Sequence, residues 1–401
     1  MRWATAISER PTLDAAVEDA VVALRAELGA EEPDLVLCFV SSHYRAGFAT
    51  LPQLVRRLLP EALLLGCSAG GVVGGGREVE QRRALSLTAA VLPGVSVRAL
   101  DLPAEGMPEE DDIAGWRMLV GGEVEPQPHF ILLPDPFSCD IDQLCVGLDR
   151  AFPDGCKIGG LCSGGRGPGD GALFIGEAVR ASGCVGVALS GNIVLDTIVA
   201  QGCRPIGTPL VVTRCHDNII EEVTGGPPVK VLRELYETLP ALDRQLMHHS
   251  LFLGIEMRSN QVELHQGDFL IRNILGLDPH RGALVVGARV QPWQAVQFHL
   301  RDARTSAEDL EQRLVQYRET MGSRRPRGAL LFSCLGRGEH LYGRPNHDSE
   351  VFQRLIGPVP LGGFFCSGEI GPVGGSTFVH GYTSAFGLFR ERHEGDVPRT
   401  G

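Results

Sequence analysis

Aromatic residues make up only 6% of this 401-residue chain, and its long uncharged runs are short and glycine-rich. None approaches the roughly 20 consecutive apolar residues of a membrane-spanning helix. The N-terminus, MRWATAISERPTLD, has no apolar signal-peptide core. Positive charge is in deficit: 37 Lys and Arg against 49 Asp and Glu leave a net −12, a poor match to a phosphate backbone. No basic amphipathic stretch offers itself to a lipid surface. Eleven cysteines are present, an odd number, but none form a CxxC pair, which argues against a thioredoxin-like or zinc-ribbon site. His248-His249, His265 and His280 lack zinc-ligand spacing, and no metal is expected. No GK[ST] follows the glycine runs, GGVVGGG resembles GxGxxG only loosely, and no GxSxG elbow occurs. These absences predict a reduced, cytoplasmic protein without cofactor, nucleic-acid partner or membrane anchor.

Glycine is abundant, at 51 residues, and concentrates at the ends of apolar runs. Most cysteines sit in or just after the same runs (LVLCFV, ALLLGCSAGG, GLCSGG, LGGFFCSG), where a free thiol behaves as a small hydrophobe. Residues 12–28 carry a helical stripe of Leu13, Val17, Val21, Leu24 and Leu28 stopped by Gly29. Strands are predicted at 34–42, 84–92, 95–102, 128–138 (ending in a polar turn), 172–179, 184–190 and 193–201. The acidic, proline-rich stretch 103–128 reads as a surface excursion around a short helix containing Trp116. Pro227-Pro228 suggests a lobe boundary. Further strands are expected near 251–258, 268–272, 283–287 and 293–301. A helix at 306–321 follows, with Thr305 and Glu308 at capping-box spacing. Residues 391–401 read as a frayed tail.

Three times an apolar strand ends in a Ser-containing turn, a helix follows, and a second apolar strand ends in Cys-Ser and small residues. The first members are LVLCFVSSHY, FILLPDPFSC and ALLFSCLGRG; the second are LGCSAGG, GLCSGGRG and FFCSGEIG. Such recurrence points to an internal repeat. Glycine turns at strand ends free backbone N–H groups, and serines add donors and acceptors. If the turns converge, Ser68, Asp135, Ser138, Ser163, Arg166, Arg337, Ser367 and Glu369 line a small polar pocket. Glu369, the lone charge in CSGEIGPVGG, requires a partner, a ligand ammonium or water, and it also reads as a backbone-capping or Arg-paired structural residue. Arg344, Asn346 and His347 of GRPNHD could orient a ligand carboxylate; the same stretch also reads as a helix lead-in with Asn346 or Asp348 as N-cap. A competing reading makes Cys67, Cys162 or Cys366 a thiolate nucleophile with His347 or His380 as base. Three cysteines at like places argue instead for a structural role.

The stretch 33–225, with LGCSAGG, LLPDPFSCD and IGGLCSGG, resembles the FIST (F-box and intracellular signal transduction) N-terminal domain. The stretch 327–389, RGALLFSCLGRGEHLYGRPNHDSEVFQRLIGPVPLGGFFCSGEIGPVGGSTFVHGYTSAFGLF, resembles the FIST C-terminal domain. The resemblance implies a sensory module for small ligands, with amino acids favoured, often joined to a signalling output or an F-box. Here residues 1–32 form a helical lead-in, 33–225 and 226–390 the two domains, and 391–401 a flexible tail. No output domain is expected in this chain. The sequence therefore predicts an α/β protein of two lobes, built from repeated strand–helix–strand units with mixed sheets and helices packed outside. The expected function is a stand-alone, non-enzymatic sensor of an amino acid or small carboxylate, acting through a separate signalling partner. The alternatives are a cysteine-dependent hydrolase or transferase and a ligand-free adaptor.

Overall fold

Strand Leu35–Ser41 is buried along its whole length, as a parallel strand must be when both faces of its sheet are covered. It pairs in parallel with Leu63–Ala69, and helix Leu51–Leu58 makes the crossover. The same device recurs twice. His129–Pro134 runs parallel to Lys157–Gly160 across helix Ile141–Ala151, and Gly328–Cys334 runs parallel to Leu361–Cys366 across helix His347–Ile356. The computed structural model in which these elements are seen describes residues 1–122, 126–257, 264–322, 324–393 and 396.

Side-chain alternation explains why the helices lie outside. Leu35, Leu37 and Phe39 enter a core shared with Ile131, Ile158, Phe332 and Phe364, so the inner faces of all three parallel pairs meet. Val36, Cys38 and Val40 point the other way, into a core under helices Leu13–Leu28 and Leu51–Leu58. The first of these helices starts where Thr12 accepts a hydrogen bond from the Ala15 N–H and ends at Gly29, φ +70°. Helix Ile113–Val120 covers the second sheet in the same manner. Its Trp116 is fully buried, so 103–128 is not only a surface excursion.

Each parallel pair is the centre of a six-stranded sheet. The first sheet runs Arg2–Ser8, Leu85–Val91, Leu35–Ser41, Leu63–Ala69, Leu173–Ile175, Ala178–Arg180. The second runs Val95–Leu102, Cys184–Gly191, His129–Pro134, Lys157–Gly160, Glu369–Val373, Ser376–His380. The third runs Val194–Ala200, Ser384–Arg390, Gly328–Cys334, Leu361–Cys366, Gly71–Gly74, Arg77–Glu80. The three orders are alike, and the last two strands of each come from elsewhere in the chain. The hairpin after the first pair joins the third sheet, that after the second joins the first, and that after the third joins the second. The exchange is cyclic and closed. Each incoming hairpin is also held by its host's crossover helix. Arg56 pairs with Glu177, Asp149 accepts from the Thr377 N–H and hydroxyl, and Ser349 donates to Glu78.

One glycine position serves all three pairs. A Cβ on Gly66, Gly159 or Gly363 would lie 2.1, 1.9 and 1.9 Å from the carbonyl oxygens of Cys38, Leu132 and Leu331, their parallel partners. Only glycine permits that approach.

The chain divides into two compact units. One holds Met1–Val199, Glu311–Val379 and the chain from Thr383 onward; the other holds Ala200–Leu310 and His380–Tyr382. The second unit is a closed barrel of six strands in the order Cys203–His216, Ile219–Val223, Ala283–Val286, Phe269–Asp278, Leu251–Glu256, Ala295–Arg301. Its interior is aliphatic, with Ile206, Val212, Leu253, Leu284, Val296 and Leu300. The 225/226 boundary read from sequence falls between strand Ile219–Val223 and helix Pro228–Thr238, inside this unit. Helix Ala303–Met321 starts earlier than expected, and its cap is not Thr305: the Thr305 N–H donates to Asp302 Oδ1 at 2.8 Å. Of the expected strand 251–258, residue 258 lies outside the described residues, as do 394, 395 and 397–401 of the expected tail. The tail's described part is anchored: Glu391 accepts from the Met1 ammonium and Asp396 from Arg390.

Candidate functional site

Parallel strands end together, and ligands of α/β sheets bind beyond those carboxyl ends. Here the three carboxyl ends meet. The Ser163 hydroxyl accepts from Gly70 N–H at 2.8 Å and donates to the Phe365 carbonyl at 2.5 Å, tying the turns of the three sheets together. Backbone bonds reinforce the junction. Ser163 N–H donates to Ser68 O, Cys162 N–H to Pro134 O, Leu161 N–H to Gly368 O and Ser367 N–H to Leu161 O. The Ser68 hydroxyl donates to Ser163 O, accepts from Ala172 N–H, and lies 3.2 Å from Cys162 Sγ. Ser68, Ser163 and Ser367 therefore come together, but the first two spend their hydroxyls on neighbouring turns. Only Ser367 is exposed.

The Cys-Ser turns do not occupy equivalent positions. Relative to Gly159 and Gly363, Cys162-Ser163 and Cys366-Ser367 begin three residues on, whereas Cys67-Ser68 begins one residue after Gly66. The two-residue shift preserves the side-chain face, because strand alternation has period two. Burial drives the Cys67 and Cys366 thiols well above their ordinary pKa. Cys162 moves the other way: hydrogen bonds from Cys67 and then Ser68 outweigh burial and lower it.

Asp135 and Ser138 form a second group beside the junction. Asp135 is 2% exposed. Its Oδ2 accepts from the Ser138 hydroxyl at 2.6 Å and the Phe137 N–H at 3.2 Å, while Ser138 Oγ accepts from Gly183 N–H.

The third group is an ion-pair network. Arg337, 0% exposed, grips Asp348 through Nε at 3.0 Å and Nη2 at 3.2 Å, and donates to Tyr342 OH at 2.5 Å. Asp348 also accepts from Ser384 Oγ at 2.5 Å and faces His347 Nδ1 at 2.9 Å, whose ring stacks on Tyr342. Burial opposes ionisation of Asp348, but Arg337 and these hydrogen bonds hold its carboxyl below the usual range. Glu78 caps the helix beginning at His347, accepting from the Ser349 N–H at 2.8 Å and hydroxyl at 2.7 Å. Its Oε2 is buried without a hydrogen-bond partner among the described residues. Burial, followed by the nearby Asp348 charge, pushes Glu78 up to about 7. Fully buried Glu369 accepts from Thr383 N–H at 3.0 Å and from Cys366 Sγ at 3.4 Å.

Other expected residues are placed differently. Asn346 stands at the N-cap position with φ +62° but makes no side-chain cap; its Oδ1 accepts from Glu78 N–H instead. Asp348, the other candidate cap, is the partner of Arg337. Arg344 is exposed and paired with Glu350, and Arg166 is exposed on the glycine-rich loop, where its N–H donates to Asp170. Glu78, Ser349, Ser384 and Gly171 escaped the sequence reading; nothing in GREVE distinguishes a buried carboxylate from a solvated one. Among the described residues no group of three or more His, Cys, Asp or Glu could hold a metal ion, and no helix is long and apolar enough to cross a membrane.

Comparisons place this architecture among known chains. The FIST N domain model matches residues 34–225 and the FIST C domain model residues 228–372. An uncharacterized protein of Mycobacterium tuberculosis is 36% identical over 394 residues, covering 97% of this chain and 100% of that protein. One of Mycobacterium bovis is 34% identical over 389 residues, covering 97% and 99%. A solved cyanuric acid hydrolase from A. caulinodans covers 98% of this chain and 99% of its own at a TM-score of 0.35 and 10% identity, a likeness that carries no argument. The chain thus belongs to the FIST family, whose domains are generally small-ligand sensory domains in signalling.

Proposed function

We propose that this protein binds a small polar ligand, an amino acid or small carboxylate, at the junction of the three parallel pairs, and signals its presence through a separate partner protein. The observation that carries the reading is the Ser163 bridge, which draws three glycine-rich strand ends into one place. Beside the bridge stand groups left to a ligand: Asp135, the exposed Ser367, and the half-exposed apolar side chains of Phe137 and Leu335 at the turns after the first strands of their pairs. The recurrent sheet order supports an internal repeat whose three turns were retained together. A thermal-shift screen against amino acids, small carboxylates and nucleotides tests it. Binding to the folded state alone adds about 2.7 kcal/mol at a hundredfold excess over Kd. A dose-dependent rise confined to one chemical class supports the sensor. A flat screen of folded protein leaves the adaptor reading.

The lowered pKa of Cys162 favours cysteine chemistry as a second reading. Its hydrogen-bonding neighbours, Ser68, Ser163, Ala172 and Cys67, include no general base. Fast, selective iodoacetamide labelling of Cys162 at neutral pH would establish that reading; slow labelling removes it.

A further inference from the structure

The Asp135 carboxylate is buried without a counter-charge. Both hydrogen bonds to its Oδ2 come from neutral donors, and its Oδ1 accepts none from any described residue. Nor is Asp135 in an ion pair with any described Lys, Arg or His. A carboxylate 2% exposed and so placed is costly unless a cation or ammonium meets it.

Oδ1 lies beside the bare face of Gly171. A Cβ on Gly171 would lie 3.8 Å from Asp135 Oδ1, 3.5 Å from Ser68 Oγ and 2.8 Å from Cys162 Sγ. These three atoms, from turns of two sheets, surround the bare face of one glycine. The surface so formed is acceptor-rich: a carboxylate oxygen, a hydroxyl whose hydrogen is already committed to Ser163 O, and a sulfur. Gly171 closes the loop 164–171, which has glycine at 164, 165, 167, 169 and 171. Asp170 ties the loop down by accepting from Arg45 Nη1 at 3.2 Å and from the Arg166 N–H at 2.9 Å.

We propose that Asp135 Oδ1, framed by Ser68, Cys162 and Gly171, is the subsite for a primary ammonium group of the ligand. The assignment rests on the sensory reading above and names the end of the ligand that lies deepest. An N–H-bearing cation satisfies both the charge and the empty acceptor; a quaternary ammonium supplies the charge without the donor, and an anion supplies neither.

Calorimetric titration of the full chain with ethylammonium, tetramethylammonium, potassium and acetate salts at constant ionic strength tests this, beside the amino-acid screen. Ethylammonium is expected to bind saturably, and tetramethylammonium, potassium and acetate not to. Asp135→Asn should weaken ethylammonium about tenfold or more, while its ligand-free melting temperature stays level or rises because an uncompensated charge is gone. Gly171→Ala keeps the carboxylate but sets a methyl group against Cys162 Sγ and Ser68 Oγ beside it, so it should weaken binding too, and it serves if the Asn variant does not fold, provided its ligand-free melting temperature matches wild type. Ethylammonium affinity unchanged in both variants overturns the subsite, as does equal binding of potassium. If carboxylates or amino acids bind wild type but ethylammonium does not, the subsite fails and the sensory reading stands. A flat response to every compound overturns both.

Discussion

At the scale of single residues, burial decides which polar groups are informative. Glu78 and Asp135 are both hidden carboxylates with one oxygen satisfied, yet their surroundings differ. Glu78 faces Asp348 and Glu80, so its acidity is suppressed by burial and then by like charge. A carboxyl raised to about 7 from 4.5 stays protonated in the fold while the unfolded chain ionises. Its contribution is therefore full below about pH 4.5, is lost as pH rises toward 7, and is flat above that. Glu78→Gln retains an acceptor for Ser349 and removes this dependence. Relative to wild type it should gain stability between pH 5 and 8, by up to about 3 kcal/mol, and thermal melts across that range will show whether the gap opens. A constant gap refutes the assignment. Glu369 differs again, because Thr383 and Cys366 already engage its two oxygens. Its isolation in CSGEIGPVGG and its need of a partner were legible in the sequence; that Thr383 and Cys366 supply that partner was not.

Among the elements, what depends on near neighbours is legible in the sequence. The strand runs, the stripe of helix Leu13–Leu28 and the helix from His347 follow from side-chain periods of two and 3.6. Caps were less legible. Asp302 displaces Thr305, and Glu78, distant in sequence, does the work expected of Asn346 or Asp348. Strands 84–92 and 95–102 follow one another across a short turn, yet they enter different sheets, which no local pattern announces. Two substitutions test the element level. Gly159→Ala places a methyl group against the Leu132 carbonyl and should cost about 3 kcal/mol or more, measured by chemical denaturation; a loss below about 1 kcal/mol would show that the parallel pair can spread. Ser163→Ala strips a partner from Gly70 N–H and Phe365 O and should cost about 2–3 kcal/mol. No loss would mean that the junction is held by backbone bonds alone.

For the whole molecule, the inner faces of three sheets share one core, and scarce aromatics gather there. Phe39 stacks on Phe364 at 4.7 Å between centroids, with Phe332 edge-on to both. Eight of the eleven cysteines are buried, while Cys139, Cys215 and Cys334 are partly exposed. Iodoacetamide followed by peptide mapping should therefore modify those three first; early labelling of Cys67 or Cys366 would contradict the packing. The barrel enters between strand Val194–Ala200 and helix Ala303–Met321, at a place where the first sheet passes directly from Arg2–Ser8 to its helix. Its ends are joined: Gly202 N–H donates to Asp309 at 3.1 Å and Ser306 Oγ to Gly202 O at 2.8 Å. Replacing 203–301 by a short glycine-serine linker should leave a soluble remainder with a cooperative thermal transition, and an aggregating or non-cooperative product would show that the barrel is needed for folding.

The amino-acid sequence alone determined the α/β class, the order of strands and helices, the glycine-rich strand ends and the family. These depend on side-chain period and on backbone sterics, which act between near neighbours. Tertiary structure decided which sheet each hairpin joins, that 203–301 closes into a barrel, and which of the many carboxylates are buried. Strand pairing and burial are settled between segments far apart in the chain, and GREVE or PDPFS carries no local sign of the partner that will cover it.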